Sequence, residues 1–553
     1  MSEAFKKYVI YQIYPRSFCD SNGDGIGDLN GIAEKLPYIK LLGADAICLS
    51  PIYCSPNEDY GFDISDYKDI NPEFGTMKDF EKLIKTAHAT GLKVITEIVI
   101  NHTSDKHKWF EQSSASKNNP YRDYYIWREG KGKEGNQPPN NWTSFFGGGA
   151  WSCDGQTNEW YLHLFGKNQP DLNFENAEVK REFKEIFKFW LDKGVDGFCL
   201  NKFSVVGKNP ELPGGKPMTA VRGIESFNYQ PETNEILKEF KELFDKYNCL
   251  IVGEGVFANV LDAAFYTGGE GSPLDLVMNA PEQLYGVKRF GKKFNFRKFK
   301  ESVCAWQQGM FEKGWSGNCF ENCNQPRITG HYCSDKKYLT ESAKMMGALL
   351  LTLTGTPYIF QGQEIGMTNP AMTDLPDYRD EETKCAYKEL RKGLKGEKRA
   401  IRLISQTSRD NARTPMQWSS GKYAGFSVTH PWIKLNPNYP QINVELQDRD
   451  VSSTLNFYRS LIELRKENDA LVFGEYIEYL KNHGKLLMFE KRLKEKRMLA
   501  VFNFSDDFTN FKVPKKQPEF VSSELVLSNM PYSSRELQNI ILRPYEALIY
   551  ELK

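Results

Sequence analysis

Residues 94–100 read Val-Ile-Thr-Glu-Ile-Val-Ile, a run of β-branched side chains that is typical of a β-strand. A helical pattern from Asp79 to His88 precedes it, and a second one runs from Val179 to Lys193. Similar strand-like runs recur along most of the chain: Val9–Tyr14, Ala46–Ser50, Val94–Ile100, Gly197–Asn201, Leu250–Gly253, Leu274–Met278, Cys319–Asn322 and Pro357–Gln361. Eight strands with intervening helices predict an α/β fold, a (β/α)8 TIM barrel.

Two further regions depart from this alternation. Residues 107–174, between the third and fourth strands, are rich in Asn, Gly, Trp and Tyr and poor in helical period, which predicts a small irregular inserted domain over the strand ends. After the helical pattern Leu455–Asn468, alternating strands with turn residues between them predict a C-terminal antiparallel β domain packed against the barrel. The predicted domains are therefore residues 1–106 and 175–470 for the barrel, 107–174 for the insertion and 471–553 for the C-terminal domain.

The composition favours a neutral ligand. The 553 residues include 72 Lys plus Arg and 72 Asp plus Glu, so the formal net charge is zero and no electrostatic reason exists to expect nucleic acid or a membrane surface as partner. The 11 cysteines are scattered and no pair has metal-ligand spacing, which favours reduced thiols in a cytoplasmic protein. The N-terminus lacks an apolar signal core, and no stretch is long and apolar enough to span a membrane.

Functional side chains of a parallel barrel stand at the carboxyl ends of the strands and in the loops that follow. The third strand ends Glu97-Ile-Val-Ile-Asn101-His102, and the fourth ends in Cys199-Leu-Asn201. The fifth leads to Glu254, and the seventh to Cys323 and Asn324. We expect these side chains to converge on one pocket.

The chain closely resembles glycoside hydrolase family 13, the α-amylase family, and in particular its oligo-1,6-glucosidase and α-glucosidase branch. The matching stretches are residues 9–18 (Val-Ile-Tyr-Gln-Ile-Tyr-Pro-Arg-Ser-Phe), 20–28 (Asp-Ser-Asn-Gly-Asp-Gly-Ile-Gly-Asp), 169–173 (Gln-Pro-Asp-Leu-Asn), 355–362 (Gly-Thr-Pro-Tyr-Ile-Phe-Gln-Gly) and 408–418 (Ser-Arg-Asp-Asn-Ala-Arg-Thr-Pro-Met-Gln-Trp). The resemblance covers essentially the whole chain. It implies hydrolysis of α-glucosidic bonds with retention, for which two carboxyl groups stand about 5 Å apart.

The resemblance fails at the strand ends. It implies a catalytic nucleophile at position 201 and an arginine at 199, where this chain has Asn201 and Cys199. The seventh strand has Cys323 in place of a histidine and Asn324 in place of the third carboxylate, and the third strand has Glu97 in place of an aspartate. Only the acid/base position, Glu254, matches the family.

These substitutions predict a catalytically inactive or severely impaired α-glucosidase homologue, a pseudoenzyme. An asparagine amide cannot readily form the ester that a carboxylate forms on attack, and loss of a nucleophile costs roughly 10⁴ to 10⁶ in rate in well-studied hydrolases. The protein would then bind an α-glucoside or oligosaccharide, or act through a protein partner, without hydrolysis. The alternative is a weak or altered-specificity α-glucosidase that cleaves α-1,4- or α-1,6-linked oligosaccharides with Glu254.

Other sugar-binding positions match the family. The resemblance assigns Asp63 and Arg413 to the hydroxyl groups of the non-reducing-end glucose, and His102 and Phe165 to the same subsite. The alternative for the charged pair is a structural salt bridge. Lys202 follows Asn201 on the leaving-group side, where its ammonium either pairs with Glu254 and obstructs that side or points into solvent.

A metal ion and a thiol pair complete the candidate sites. Residues 20–28 place oxygen ligands at alternating positions with glycine turns, as the first half of a calcium loop does: Asp20, Asn22, Asp24, Ile26 and Asp28. The resemblance implies a structural Ca²⁺ or Mg²⁺ there, whereas the loop taken alone is more often a simple turn. Cys199 and Cys323 would pair or bind a soft metal if they were close, and otherwise are reduced thiols. No organic cofactor is expected.

Overall fold

Eight parallel strands form a closed barrel in the computed structural model, which describes residues 3–217, 219, 221–279, 294–393, 396–512, 520–537 and 539–553. The strands are β1 (Ile10–Ile13), β2 (Ala46–Leu49), β3 (Lys93–Val99), β4 (Gly197–Asn201), β5 (Leu250–Glu254), β6 (Leu276–Asn279), β7 (Ser316–Cys319) and β8 (Thr356–Phe360). Each pairs with the next in chain order, and β8 closes the barrel against β1. The predicted (β/α)8 barrel is confirmed.

The helices lie between and after the strands. They are α1 (Leu29–Leu42), α2 (Met77–Ala89), α3 (Lys108–Ala115), α4 (Ala177–Asp192), α5 (Pro231–Lys246), α6 (Val260–Thr267), α7 (Phe296–Met310), α8 (Leu339–Thr352), α9 (Glu381–Lys392), α10 (Glu397–Ile404), α11 (Val444–Arg449), α12 (Thr454–Glu467) and α13 (Asp469–Phe473). Helix α2 shows how local sequence sets a boundary, since Thr76 and Asp79 cap each other's backbone N–H groups at its start. Its residues Phe80, Leu83 and Ala87 recur at helical spacing and are buried against the barrel.

The seventh strand differs from its prediction. It spans Ser316–Cys319 rather than Cys319–Asn322. The residues after Cys319 leave the sheet because the buried Glu321 carboxylate accepts hydrogen bonds from the Arg327 guanidinium and the Ile328 backbone N–H. These hydrogen bonds hold the residues after Cys319 in a loop. The apolar pattern of the sequence did not predict this loop.

The segment between β3 and β4 forms a separate small layer. It contains α3 and a three-stranded antiparallel sheet of residues 127–128, 151–153 and 160–162. Its apolar cluster includes Trp142 and Phe165 and also takes in Val205 and Phe227 from the chain after β4. The insertion therefore packs against the loop that follows the fourth strand end.

The C-terminal region is an antiparallel β domain, as predicted. Its strands are β9 (Glu475–Tyr479), β10 (Leu486–Leu493), β11 (Lys496–Asn503), β12 (Thr509–Lys512), β13 (Ser523–Ser528), β14 (Asn539–Leu542) and β15 (Ala547–Leu552). Five form one sheet in the order β9-β10-β11-β15-β13, and β12 pairs with β14. Lys300 of α7 donates hydrogen bonds to the carbonyls of Leu480 and Leu486, at 2.5 and 3.1 Å, and so joins the domain to the barrel. Within the described ranges, no helix combines the length and apolar composition needed to cross a bilayer.

Candidate functional site

The strand ends of β3, β4 and β5 bring Glu97, Asn201 and Glu254 together. Asn201 lies opposite Glu254 in the sheet register and opposite Val99 on the other side, two residues beyond Glu97. The Asn201 Nδ2 donates hydrogen bonds to Glu97 Oε1 at 2.6 Å and to Glu254 Oε2 at 3.2 Å. The amide at the predicted nucleophile position thus bridges two carboxyl groups.

Glu97 is held in a protonated state at neutral pH. Burial, followed by the nearby Glu254 carboxylate, raises the pKa of Glu97 to about 8. Its second oxygen, Oε2, is buried and accepts no hydrogen bond of ordinary geometry among the described residues. Glu97 is 1% exposed, as is Asn201, and Glu254 is 6% exposed, so all three side chains are buried.

Lys202 points into the pocket. Its Nζ lies 2.7 Å from Glu254 Oε1, and the side chain is 21% exposed. The backbone at Lys202 has φ +57°, a left-handed conformation that is uncommon for a non-glycine residue. Of the two predicted orientations, the structure has the inward one, which places a cation on the predicted leaving-group side.

The predicted sugar-binding residues Asp63, His102 and Phe165 lie close together. The Asp63 carboxylate accepts hydrogen bonds from Ser55 Oγ and two backbone N–H groups, while burial and the Asp59 carboxylate raise the pKa of Asp63 to about 7. Burial lowers the pKa of His102 to about 4, so its ring is neutral. The rings of His102 and Phe165 lie 5.0 Å apart.

Arg413 reaches the same pocket from the far end of the chain. Its Nε donates to the Cys323 carbonyl at 2.9 Å and its Nη2 to Asn324 Oδ1 at 3.3 Å. Its Nη1 is buried without a hydrogen bond among the described residues, and its ion pair is with Asp380, 3.9 Å away. The salt-bridge alternative required a pair between Arg413 and Asp63, but Arg413 is paired with Asp380 instead. Its Nη1 group therefore keeps an N–H donor for a ligand hydroxyl.

The two cysteines occupy different layers. Cys323 Sγ lies 3.5 Å from Ser50 Oγ beside the pocket floor, and burial raises the pKa of its thiol to about 12. Cys199 points into the barrel interior, where its sulfur contacts the Met278 sulfur at 3.9 Å. All 11 cysteines are free, so the hypothesis of a Cys199–Cys323 pair is wrong, and Cys199 fills the barrel core rather than lining the pocket.

The predicted metal loop is closed by its own hydrogen bonds. The Asp20 carboxylate accepts from the backbone N–H groups of Asn22, Gly23 and Gly25, at 3.1, 2.7 and 2.8 Å. Asn22 and Asp24 accept the N–H groups of Asp24 and Ile26, and Asp28 caps α1 through the Gly31 N–H. The described chain contains no group of three or more His, Cys, Asp or Glu side chains placed to hold a metal. A structural Ca²⁺ or Mg²⁺ stays a prediction.

The sequence reading missed a supporting network. Arg409 Nη2 binds Asp59 Oδ1 at 2.7 Å and is also paired with the buried Asp380. The Gln169 side-chain amide donates to Asp59 Oδ2 and contacts His102 Nε2, at 3.1 and 3.2 Å. Gln169 and Arg409 lie in stretches that match the family, whereas Asp59 and Asp380 do not, and the connections among them depend on the fold.

Known proteins match the chain over its full length. The family description "Alpha amylase, catalytic domain" matches residues 12–474. The oligo-1,6-glucosidase of Parageobacillus thermoglucosidasius is 44% identical over 99% of each chain, and the trehalose-6-phosphate hydrolase of Bacillus subtilis is 39% identical over 99% of this chain and 98% of its own. The crystal structure of Bacillus licheniformis trehalose-6-phosphate hydrolase superposes with a TM-score of 0.93 at 39% identity, over 99% of both chains. Isomaltulose synthase from Klebsiella sp. LX3 gives 0.94 at 35% identity, with the same coverage.

The prediction of an inactive homologue is wrong. Relatives across the whole chain are named as glycosidases, which points to an enzyme, and no comparison indicates a dead homologue or a protein partner. The prediction rested on the loss of the carboxylate at position 201 and gave Glu97, although it was expected in the pocket, no catalytic role. The fold places a second carboxyl group, that of Glu97, within hydrogen-bond distance of Asn201.

Proposed function

The chain belongs to the α-amylase family, and from this we propose that it is an α-glucosidase of altered specificity that hydrolyses short α-1,4- or α-1,6-linked gluco-oligosaccharides. Glu254 protonates the departing oxygen. The observation that carries the proposal is the position of the Glu254 carboxyl group at the carboxyl end of β5, where it contacts Asn201 and Lys202 of the neighbouring strand end.

The pocket supports this reaction chemically. Asp63 and the Arg413 N–H groups offer charge-assisted hydrogen bonds to sugar hydroxyls. The neutral His102 ring and Phe165 supply a flat wall beside them. Water is the second substrate, and no organic cofactor is required.

The leaving-group side carries the altered specificity. Lys202 places its ammonium against Glu254, where the family usually has a small apolar residue. A phosphorylated leaving sugar is a second candidate, because a cation at this position favours an anionic group and trehalose-6-phosphate hydrolases are among the relatives.

The thiols support a cytoplasmic location. All 11 cysteines are free, including several that are buried, which supports a reducing compartment such as the cytoplasm.

Hydrolysis assays with matched variants test the proposal. Release of nitrophenol from an aryl α-glucoside and of glucose from isomaltose, maltose and trehalose 6-phosphate is measured for the protein and for Glu254→Gln. We expect the variant to lose about 10²- to 10⁴-fold on isomaltose, and less on the aryl glucoside, because nitrophenolate leaves without a proton. Equal rates for the two proteins, or no hydrolysis of any substrate by either, would overturn it.

A further inference from the structure

Glu97 and Glu254 face each other across one amide nitrogen. Their oxygens lie 2.6 and 3.2 Å from Asn201 Nδ2, so they are separated by less than about 6 Å. Retaining glycosidases hold their two carboxyl groups at about 5 to 5.5 Å, whereas inverting enzymes need about 6.5 to 9.5 Å to admit a water molecule. This upper bound excludes the wider separation of an inverting pair, and in the resting site the Asn201 amide lies between the two carboxyl groups.

The register explains how Glu97 reaches this level. Glu97 lies opposite Cys199, one inward-facing position deeper in the barrel than Asn201. A glutamate is one methylene longer than the aspartate of the family pattern, and Cys199 is much smaller than arginine. The longer side chain brings the carboxyl group up to Asn201.

The free oxygen of Glu97 needs an explanation. Oε2 is buried and accepts no hydrogen bond of ordinary geometry among the described residues, although the Ser50 hydroxyl lies near enough to lower the pKa of the Glu97 carboxyl, and an unsatisfied buried polar atom costs about 1 to 3 kcal/mol. Such atoms in native structures are commonly reserved for a ligand or a reaction.

We infer that Glu97 is the nucleophile of this enzyme, relocated from the fourth strand to the third, and that Asn201 positions it against Glu254. The inference rests on the proposed function. Nothing in the family resemblance assigns this role to the third strand.

The reaction balances with water alone. A Glu97 oxygen forms a bond to the anomeric carbon while the bond from that carbon to the glycosidic oxygen breaks, and the Glu254 proton passes to the departing oxygen. Water then attacks the anomeric carbon, its proton passes to Glu254, and the ester bond to Glu97 breaks. Two displacements leave the α configuration of the released glucose unchanged.

The resting protonation of the site must be reversed before attack. The pair needs one proton in total, and the raised pKa of Glu97, about 8, keeps it on Glu97 at neutral pH, while Lys202 pairs with Glu254. This proton must pass from Glu97 to Glu254 before Glu97 attacks. The ionisable groups around Glu97 are Glu254, Lys202, Cys199, Cys323 and Tyr53, and among them only the Lys202 ammonium favours the ionised carboxylate.

A trapping experiment identifies the nucleophile. The protein is incubated with 5-fluoro-α-D-glucosyl fluoride, whose ring fluorine slows release of a covalent sugar, and tryptic peptides are analysed by mass spectrometry. We expect the label in residues 94–106, on Glu97. A label in residues 194–202 or 247–288, or no label on a protein that hydrolyses the aryl glucoside, overturns the inference; a protein that hydrolyses nothing overturns the proposed function as well.

Chemical rescue tests the same role independently. Glu97→Ala should lose at least 100-fold on the aryl α-glucoside, and azide should restore turnover with β-glucosyl azide as product, because azide enters from the vacated face. Glu364→Gln is the matched control, since Glu364 is equally buried but hydrogen-bonded to Tyr11 and Tyr38 outside the pocket; it should keep its rate without azide dependence. Failure of azide to rescue, or α-glucosyl azide as the product, overturns the inference.

Discussion

Lys202 is the residue whose charge controls the ionisation of this site. Its ammonium lies 2.7 Å from Glu254 and lowers the pKa of Glu97, opposing burial and the Glu254 charge. Replacing it with methionine keeps most of the side-chain volume and removes the cation. The pKa of Glu97 then rises above about 8, so the last proton of the carboxyl pair is lost at higher pH.

Lys202→Met should therefore move the alkaline limb of the pH–activity profile upward. The measurement is kcat/KM on the aryl α-glucoside between pH 5 and pH 10. Lys188→Met is the control, because Lys188 pairs with Asp192 on the surface of α4 and should leave the limb in place. A downward or absent shift in Lys202→Met would contradict the assignment of the limb to Glu97.

The Glu97 carboxyl group should lower the free energy of unfolding at neutral and higher pH. Its pKa is about 8 in the folded state and about 4.3 in an unfolded chain. Between these values the folded protein binds a proton that the unfolded chain releases, so the free energy of unfolding falls as pH rises. Replacing Glu97 by a residue that does not ionise should remove this fall in the free energy of unfolding.

Glu97→Gln should raise the melting temperature, and by more at pH 8 than at pH 5. Calorimetry at the two pH values measures the effect, with Glu34→Gln on the surface of α1 as the neutral control. A lower melting temperature, or an equal gain at both pH values, would show that Glu97 is not held protonated by burial.

At the level of elements, a buried arginine joins three segments that support the barrel. Arg465 of α12 donates hydrogen bonds to the carbonyls of Leu351, Leu353 and Gly355, at 2.9, 2.8 and 2.5 Å. Carbonyls at the end of a helix have no partner within the helix, so this guanidinium satisfies the end of α8 and the turn into β8. No carboxylate pairs with it among the described residues.

Arg465→Met should lower the free energy of unfolding by about 3 kcal/mol, because several buried carbonyls lose their donor. Urea denaturation measures the change. Arg459→Met is the matched control on the same helix, where Arg459 pairs with Asp448 near the surface, and its loss should stay below about 1 kcal/mol. Equal losses in the two variants would contradict the role given to Arg465.

For the whole molecule, the sequence predicted the barrel well because periodicity and strand composition are local properties. The sequence predicted the wrong bounds for β7. The loop after β7 depends on the hydrogen bond from Arg327 to Glu321, a contact between side chains that local patterns do not encode. The site was misjudged for a related reason. Position-by-position comparison counted Asn201 as a loss, whereas the register between β3 and β4 and the length of Glu97 decide which carboxyl groups meet.

The substitutions at the strand ends should therefore behave as one unit. Restoring the family residues at four positions, Cys199→Arg, Asn201→Asp, Cys323→His and Asn324→Asp, places a carboxylate at position 201 directly against the Glu97 carboxyl group, 2.6 Å from the present amide nitrogen. Like charges at this distance oppose ionisation of both groups. Adding Glu97→Asp withdraws the competing group and leaves a shorter carboxylate opposite position 199, as in the family pattern.

We expect the five-residue variant to exceed the four-residue variant by at least about tenfold in kcat on isomaltose, roughly 1.4 kcal/mol of barrier, with trapped sugar now on position 201. Both variants are compared with Glu97→Asp alone, which should lose activity because its carboxyl group no longer reaches the anomeric carbon. A four-residue variant as fast as the five-residue one would show that Glu97 and position 201 do not compete for the same role.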